Sequence, residues 1–322
     1  MNYQVTVNGY QFPDSPVFIG GLERSGKTYV RLMLAAHPAF AFSKRTNLWT
    51  HIRDRFGDLG DEDNLAHCLA AMKANRHTRA LEPDNDDLLR EFRLGPRSYD
   101  RLFVLMHRRL ARREGKSCWG DQTEGIEFVA GPIFAALPNA RLIHLIRDPR
   151  DRYEALVTRG PGRPNRLGEA TRRWLLSAAA GAQNERRYPD RYRVVRYESL
   201  VLEPEKTLDE IAAWLGITVA EAMPALGHAP RFAALGNPER PLSADYIGRF
   251  RSRLLAHEIA YIQRQAGPLM LTYGYASEAV CLSWSGRLRC NVVTPLAAGI
   301  ARLAFDVGRH ARARGNPYSQ SI

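Results

Sequence analysis

Short apolar runs bounded by glycines alternate with longer stretches of helical periodicity along this chain. Residues 4–7 and 10–12 alternate loosely and predict a short hairpin or edge strand. Pro16-Val17-Phe18-Ile19-Gly20-Gly21 reads as a buried strand ending in a turn. Thr28 to His37, with Val30, Leu32, Met33, Leu34, Ala35 and Ala36, predicts a buried helix that Pro38 stops. Residues 61–115 predict polar-faced helices, with the arginine-rich stretch 108–113 as a solvated face. Leu142 to Ile146 predicts a second buried strand. Residues 150–188 read as helix interrupted at Gly160-Pro161-Gly162-Arg163-Pro164, and Arg193 to Tyr197 as a third strand. Pro204 to Leu215 predicts a helix closed by Gly216. Residues 224–250, with Pro224, Pro230, Gly236, Pro238, Pro241 and Gly248, read as a long ordered loop before a final helix, Ser252 to Tyr273.

Strands alternating with helices imply an α/β fold, a central mostly parallel sheet with helices on both faces. The composition shifts after Gly274, which divides the chain into one domain, 1–276, and a helical C-terminal extension, 277–322. Within the extension, Pro295 to Arg314 is amphipathic and ends in Arg309, His310, Arg312 and Arg314. Packing on the body is the preferred reading; a peripheral contact with an anionic membrane surface is the alternative.

With 322 residues, 45% of them hydrophobic, the chain can bury a core without staples. Cys68, Cys118, Cys281 and Cys290 form no C-x-x-C pair, so neither a zinc site nor a disulfide framework is expected. The first residues lack a basic stretch followed by an apolar run, and no segment reaches the ~18 apolar residues of a span. The expected location is the cytoplasm, with membrane association as the alternative. Lys plus Arg number 46 against 34 Asp plus Glu, a net charge of +12 that favours anionic partners. No basic patch carries interleaved stacking aromatics, so no nucleic-acid partner is expected.

Gly21-Leu22-Glu23-Arg24-Ser25-Gly26-Lys27-Thr28 fits G-x-x-x-x-G-K-[ST] after a strand and before a helix. Glycines let the chain turn so that backbone N–H groups converge on an anion at a positively polarised helix start. Arg24 and Lys27 add full charges; Ser25 and Thr28 add hydroxyls. The loop alone leaves two readings. A kinase or nucleoside triphosphatase needs Mg²⁺ held by Thr28 and an acid such as Asp148. A phosphosulfate donor needs positive charge and no metal.

Further blocks follow. Arg24-Ser25-Gly26-Lys27-Thr28 resembles the R/K-S-G-T-T loop of sulfotransferases that use 3′-phosphoadenosine 5′-phosphosulfate (PAPS), and Ala36-His37-Pro38 the A-H-P after its helix. Trp119-Gly120-Asp121-Gln122-Thr123 resembles their W-G-[DE]-K-T. LPNARLIHLIRDPRDR from Leu137, YESLVLEPEKTLDEIAAWLG from Tyr197 and Ile247-Gly248-Arg249-Phe250-Arg251 resemble later family blocks, in family order over residues 16–275. The resemblance implies a P-loop-like sulfotransferase fold and transfer of a sulfuryl group from PAPS, as co-substrate, to a hydroxyl or amine acceptor, with no metal. A kinase or triphosphatase, or an inactive nucleotide-binding homologue, is the alternative. The resemblance further implies that Arg24, Ser25, Gly26, Lys27 and Thr28 hold the 5′-phosphosulfate. Arg147, Arg249 and Arg251 would bind the 3′-phosphate, and Tyr197 would border the adenine.

Three positions depart from the family pattern. Lys27 replaces the usual threonine, and the expectation is that it contacts the bridging oxygen or the sulfonate. Ala155 replaces a serine that helps bind the 3′-phosphate. Ser43-Lys44-Arg45-Thr46-Asn47 lacks the usual glutamate base, and arginine cannot accept a proton. His51, Asp54 and Asp121 are the candidate bases, beside Lys27 and Arg24 as candidate catalytic cations. Arginine and histidine in 43–115 and in 160–164 suit an acidic glycan or lipid-linked sugar as acceptor.

Overall fold

The computed structural model describes residues 5–7, 10–12, 15–158, 166–219 and 242–295. The interruption 160–164, most of the loop 224–250 and the stretch 296–314 lie outside the described residues. The chain divides into two compact units, Met1–Ile146 with Ala180–Leu242, and Arg147–Ala179 with Ser243–Ile322.

The first unit holds an antiparallel pair, β1 (Val5–Val7) and β2 (Tyr10–Phe12), and a five-stranded parallel sheet. Its strands are β3 (Val17–Gly20), β4 (Phe40–Lys44), β5 (Cys118–Gln122), β6 (Arg141–Ile146) and β7 (Tyr192–Arg196), in the order β4-β5-β3-β6-β7. Strand β3 is central because it pairs with β5 on one edge and β6 on the other, and it is buried throughout because its side chains alternate between two covered faces. Phe18, Ala41, Trp119, Leu142 and Tyr192 enter one core with Phe92, Phe103, Met106 and Phe134. Val17, Ile19, Phe40, Cys118, Ile143, Leu145 and Val195 enter another with Met33, Leu208, Ile211 and Leu215. The two cores lie on opposite faces, packed by helices that include α1 (Lys27–Ala35), Tyr99–Arg113 and Pro204–Leu215.

The expected strands at 17–20 and 142–146, the helix after the loop and the Gly216 cap, at φ 69°, are present. Strands β4 and β5 are additions to the sequence reading. At Gly120 the β5 backbone lies so close to β4 that a Cβ would meet the Phe42 ring at 2.1 Å. Tyr197 opens the short helix Tyr197–Leu202 and does not end a strand. The stretch 108–113 is not one solvated face: Leu110 and Ala111 are buried, while Arg109 and Arg113 pair with Glu82 and Arg112 with Glu91.

In the second unit, the helices Pro149–Val157 and Ala256–Thr272 pack around Tyr153, Phe250, Ile262 and Met270. The expected single helix 252–273 is broken: Phe250–Arg253 is a separate turn, and Leu255 is extended. Glu258 accepts the Leu255 N–H at 2.8 Å, which caps the longer helix and fixes the break. The four cysteines are free thiols. Among the described residues, no helix is long and apolar enough to cross a membrane.

Candidate functional site

Strand β3 ends where Gly21 turns at φ 105°, and the loop contains two further left-handed residues, Arg24 at φ 68° and Gly26 at φ 96°. Such a path presents successive N–H groups to one side. The Ser25 hydroxyl donates to the Leu22 carbonyl at 2.6 Å and holds the turn. Lys27 opens α1, is buried and donates to the Gly21 carbonyl. The first turn of α1 carries no acidic side chain, so nothing in it opposes an anion at the helix start. Gly26 lies under the ring of buried Tyr197, which a Cβ would meet at 2.8 Å. The structure therefore brings Tyr197 to the loop containing Arg24, Ser25, Lys27 and Thr28.

The loop rests on a buried polar cluster to which the family resemblance gives no role. Glu127 Oε2 accepts the Gly21 N–H at 3.3 Å, and its carbonyl accepts from Asn184 at 2.7 Å. His144 lies 2.8 Å from the Tyr192 hydroxyl; burial lowers its pKa, Glu127 opposes that shift and Lys27 adds to it. A histidine inside the apolar run Leu142-Ile143-His144-Leu145-Ile146 is the one sequence signal for this cluster.

Asp121 is fully buried on β5. It accepts from Ser43 at 2.7 Å, Thr46 at 2.6 Å and Thr123 at 2.9 Å. Ser43 also lies 3.0 Å from His107 Nε2, whose ring stacks on Trp119 at 4.4 Å. With both oxygens engaged, Asp121 holds the segment after β4, where Arg45 and Asn47 adopt φ 54° and 55°. His51 sits just beyond, next to Thr50 at 2.9 Å. Desolvation and Arg55 pull its pKa below the ordinary histidine value against Glu124, which favours the neutral, proton-accepting form.

The remaining expected residues lie in the second unit. Arg147 is buried and donates to the Tyr246 carbonyl at 2.6 Å, while its own carbonyl accepts from Trp174 at 2.8 Å. Asp148 caps the helix Pro149–Val157 and is gripped by Arg150 through Nε at 3.0 Å and Nη2 at 2.7 Å. This pairing disfavours Asp148 as the acid for Mg²⁺ in a kinase. Asp151 accepts the N–H groups of Gly248, at 2.6 Å, and Phe250, at 3.0 Å. It thereby fixes the segment that carries Arg249 and Arg251. Arg249 faces Glu154 at 3.3 Å, and Arg251 is held by both oxygens of Glu278, at 2.8 and 3.0 Å from its Nε.

A model described as the sulfotransferase family matches residues 16–221. The chain belongs to the sulfotransferase family. Among solved structures it is similar to the sulfotransferase domain of the Synechococcus PCC 7002 olefin synthase, at 23% identity and a TM-score of 0.57, over 82% of this chain and 96% of that one. It is also similar to the sulfotransferase domain from the curacin biosynthetic pathway, at 18% identity and 0.54, over 82% and 99%. These likenesses show a shared fold, the P-loop-like sulfotransferase fold. A search of curated proteins finds no match.

Proposed function

We propose that this protein transfers a sulfuryl group from PAPS to a hydroxyl or amine of an acceptor. The observation that carries the reading is the loop from Gly21 to Thr28, with three left-handed residues, a buried lysine and no acid in the following helical turn. Its fit to the donor is chemical: convergent N–H groups, Lys27 and Arg24 suit an anion whose charge grows on the bridging oxygen. In the step, the acceptor oxygen or nitrogen forms a bond to sulfur and the bond from sulfur to the 5′-phosphate oxygen breaks. The electron pair stays on that phosphate oxygen, leaving adenosine 3′,5′-bisphosphate. The acceptor proton passes to a base, for which His51 is the candidate. Asp121 is a positioning residue for the loop carrying Arg45. Arg147, with Arg249 and Arg251, faces the 3′-phosphate.

The acceptor proposed is an acidic glycan or lipid-linked sugar. The basic stretch within 277–322 is the segment proposed to touch an anionic membrane. The test is binding of the bisphosphate to the full chain, followed by labelled-sulfate transfer to envelope glycans and small alcohols without magnesium. Lys27→Ala is expected to weaken binding about ten-fold or more, Arg147→Ala about five-fold, and Arg45→Ala less than about two-fold. Equal losses, or no binding, reject the site. Binding without transfer to any acceptor identifies an inactive homologue.

A further inference from the structure

The arginines at 147, 249 and 251 belong to a cluster that is already neutralised. Arg147, Arg150, Arg249 and Arg251 supply four positive charges, and Asp148, Asp151, Glu154 and Glu278 supply four negative ones. The sum at full ionisation is 4 − 4 = 0. Phe250 separates two of the cations: Arg150 stacks on its ring at 4.2 Å and Arg251 at 5.0 Å.

Glu278 is the member of this set that comes from furthest along the chain, and its place is fixed by more than its charge. The side-chain amide of Gln263 pairs with its backbone twice, accepting from the Glu278 N–H at 2.9 Å and donating to the Glu278 carbonyl at 2.8 Å. The same Gln263 oxygen accepts from Arg150 Nη1 at 2.6 Å. Glu278 is therefore pinned where its carboxylate meets Arg251 as a bidentate partner. Beside the cluster, Ala155 is buried and presents a methyl group that can donate no hydrogen bond.

We propose that Glu278 is a donor-specificity residue: by occupying Arg251 it weakens recognition of a 3′-phosphate. The protein then accepts adenosine nucleotides with a 5′-phosphate or 5′-phosphosulfate whether or not the 3′-phosphate is present. This rests on the proposed assignment of Arg251 to the 3′-phosphate end of the donor. A dianionic phosphate arriving at Arg251 must displace a fixed carboxylate or sit against it. The Arg251 side chain is 61% exposed and that of Glu278 33%, so the pair is screened and Glu278 can be changed without opening a core.

The experiment is calorimetric titration of the full chain with adenosine 3′,5′-bisphosphate and, separately, adenosine 5′-monophosphate. The native protein is expected to prefer the bisphosphate by less than about ten-fold. Glu278→Gln, which keeps the shape and the backbone pairing to Gln263, is expected to tighten the bisphosphate about five-fold and leave the monophosphate within about two-fold. Glu278→Ala should do the same. A native preference of about a hundred-fold or more that neither variant changes overturns this inference and leaves the sulfotransferase reading intact. Binding of neither nucleotide overturns both.

Discussion

The phosphate loop of the first unit and the arginine cluster of the second are both suited to anions, yet they are built on opposite principles. In the loop the attraction comes mainly from backbone geometry: three left-handed residues and a helix start with no acid in its first turn. In the cluster it comes from side chains, and each arginine there already meets an acceptor of the same chain, Tyr246, Asp148, Glu154 or Glu278. A site made of backbone dipoles is set by the path of the chain, although one loop N–H, that of Gly21, already donates to the Glu127 carboxylate. A site made of paired guanidiniums must exchange partners when the anion arrives. The loop should therefore dominate affinity, and the cluster should tune it.

The largest effect tests the loop. Gly26→Ala forces an L residue into φ 96° and drives a methyl to 2.8 Å from the Tyr197 ring. Both penalties fall on the peptide that aims the loop N–H groups. Bisphosphate binding should weaken about a thousand-fold, or roughly 4 kcal/mol. A loss below about ten-fold would mean that the loop is not the dominant anion site.

Next in size is a change behind the loop region that should leave nucleotide affinity alone. Asp121→Ala deserts three buried hydroxyls, those of Ser43, Thr46 and Thr123. Deserted polar groups and lost charge-assisted hydrogen bonds should together lower unfolding free energy by about 3 kcal/mol in urea titration. If stability holds and transfer alone fails, Asp121 acts on the substrate and not on the segment 43–47.

The loop and the cluster also differed in how far the sequence revealed them. Val17 to Gly20 is a buried apolar run beside a glycine turn, so strand, loop and helix were legible together. Strand β5 was not. Gly120 and Asp121 are residues that strands disfavour, and they sit in one here because distant groups, Phe42 packing over Gly120 and three hydroxyls on Asp121, complete it. The arginines of the cluster were readable as motif positions. Their carboxylate partners were not, since Arg251 meets Glu278 across 27 residues and Asp151 meets Phe250 across 99. Local pattern shows where charge is placed; only the folded chain shows what neutralises it.

The smallest effect concerns Asp151, the carboxylate that clasps the arginine-bearing segment. Burial pushes its pKa up to about 6, with Asp148 adding to the rise and the Phe250 and Gly248 N–H groups and Arg147 opposing it. A raised value means that the folded protein holds this proton more tightly than the unfolded chain, whose aspartates titrate near about 3.9. The group's contribution to stability is therefore full below about pH 4 and is lost as pH rises through about 6, in total at most about 3 kcal/mol. Asp151→Asn removes the titration and keeps one acceptor for two N–H groups. Urea midpoints of the native protein and the variant should be compared at half-unit steps from pH 4 to pH 7.5. The native advantage should shrink across pH 4–6 and level off above it. A difference that stays constant or grows with pH would show that the clasp holds its segment as a carboxylate stabilised by Arg147, and that the cluster is more strongly anchored than its neutral sum implies.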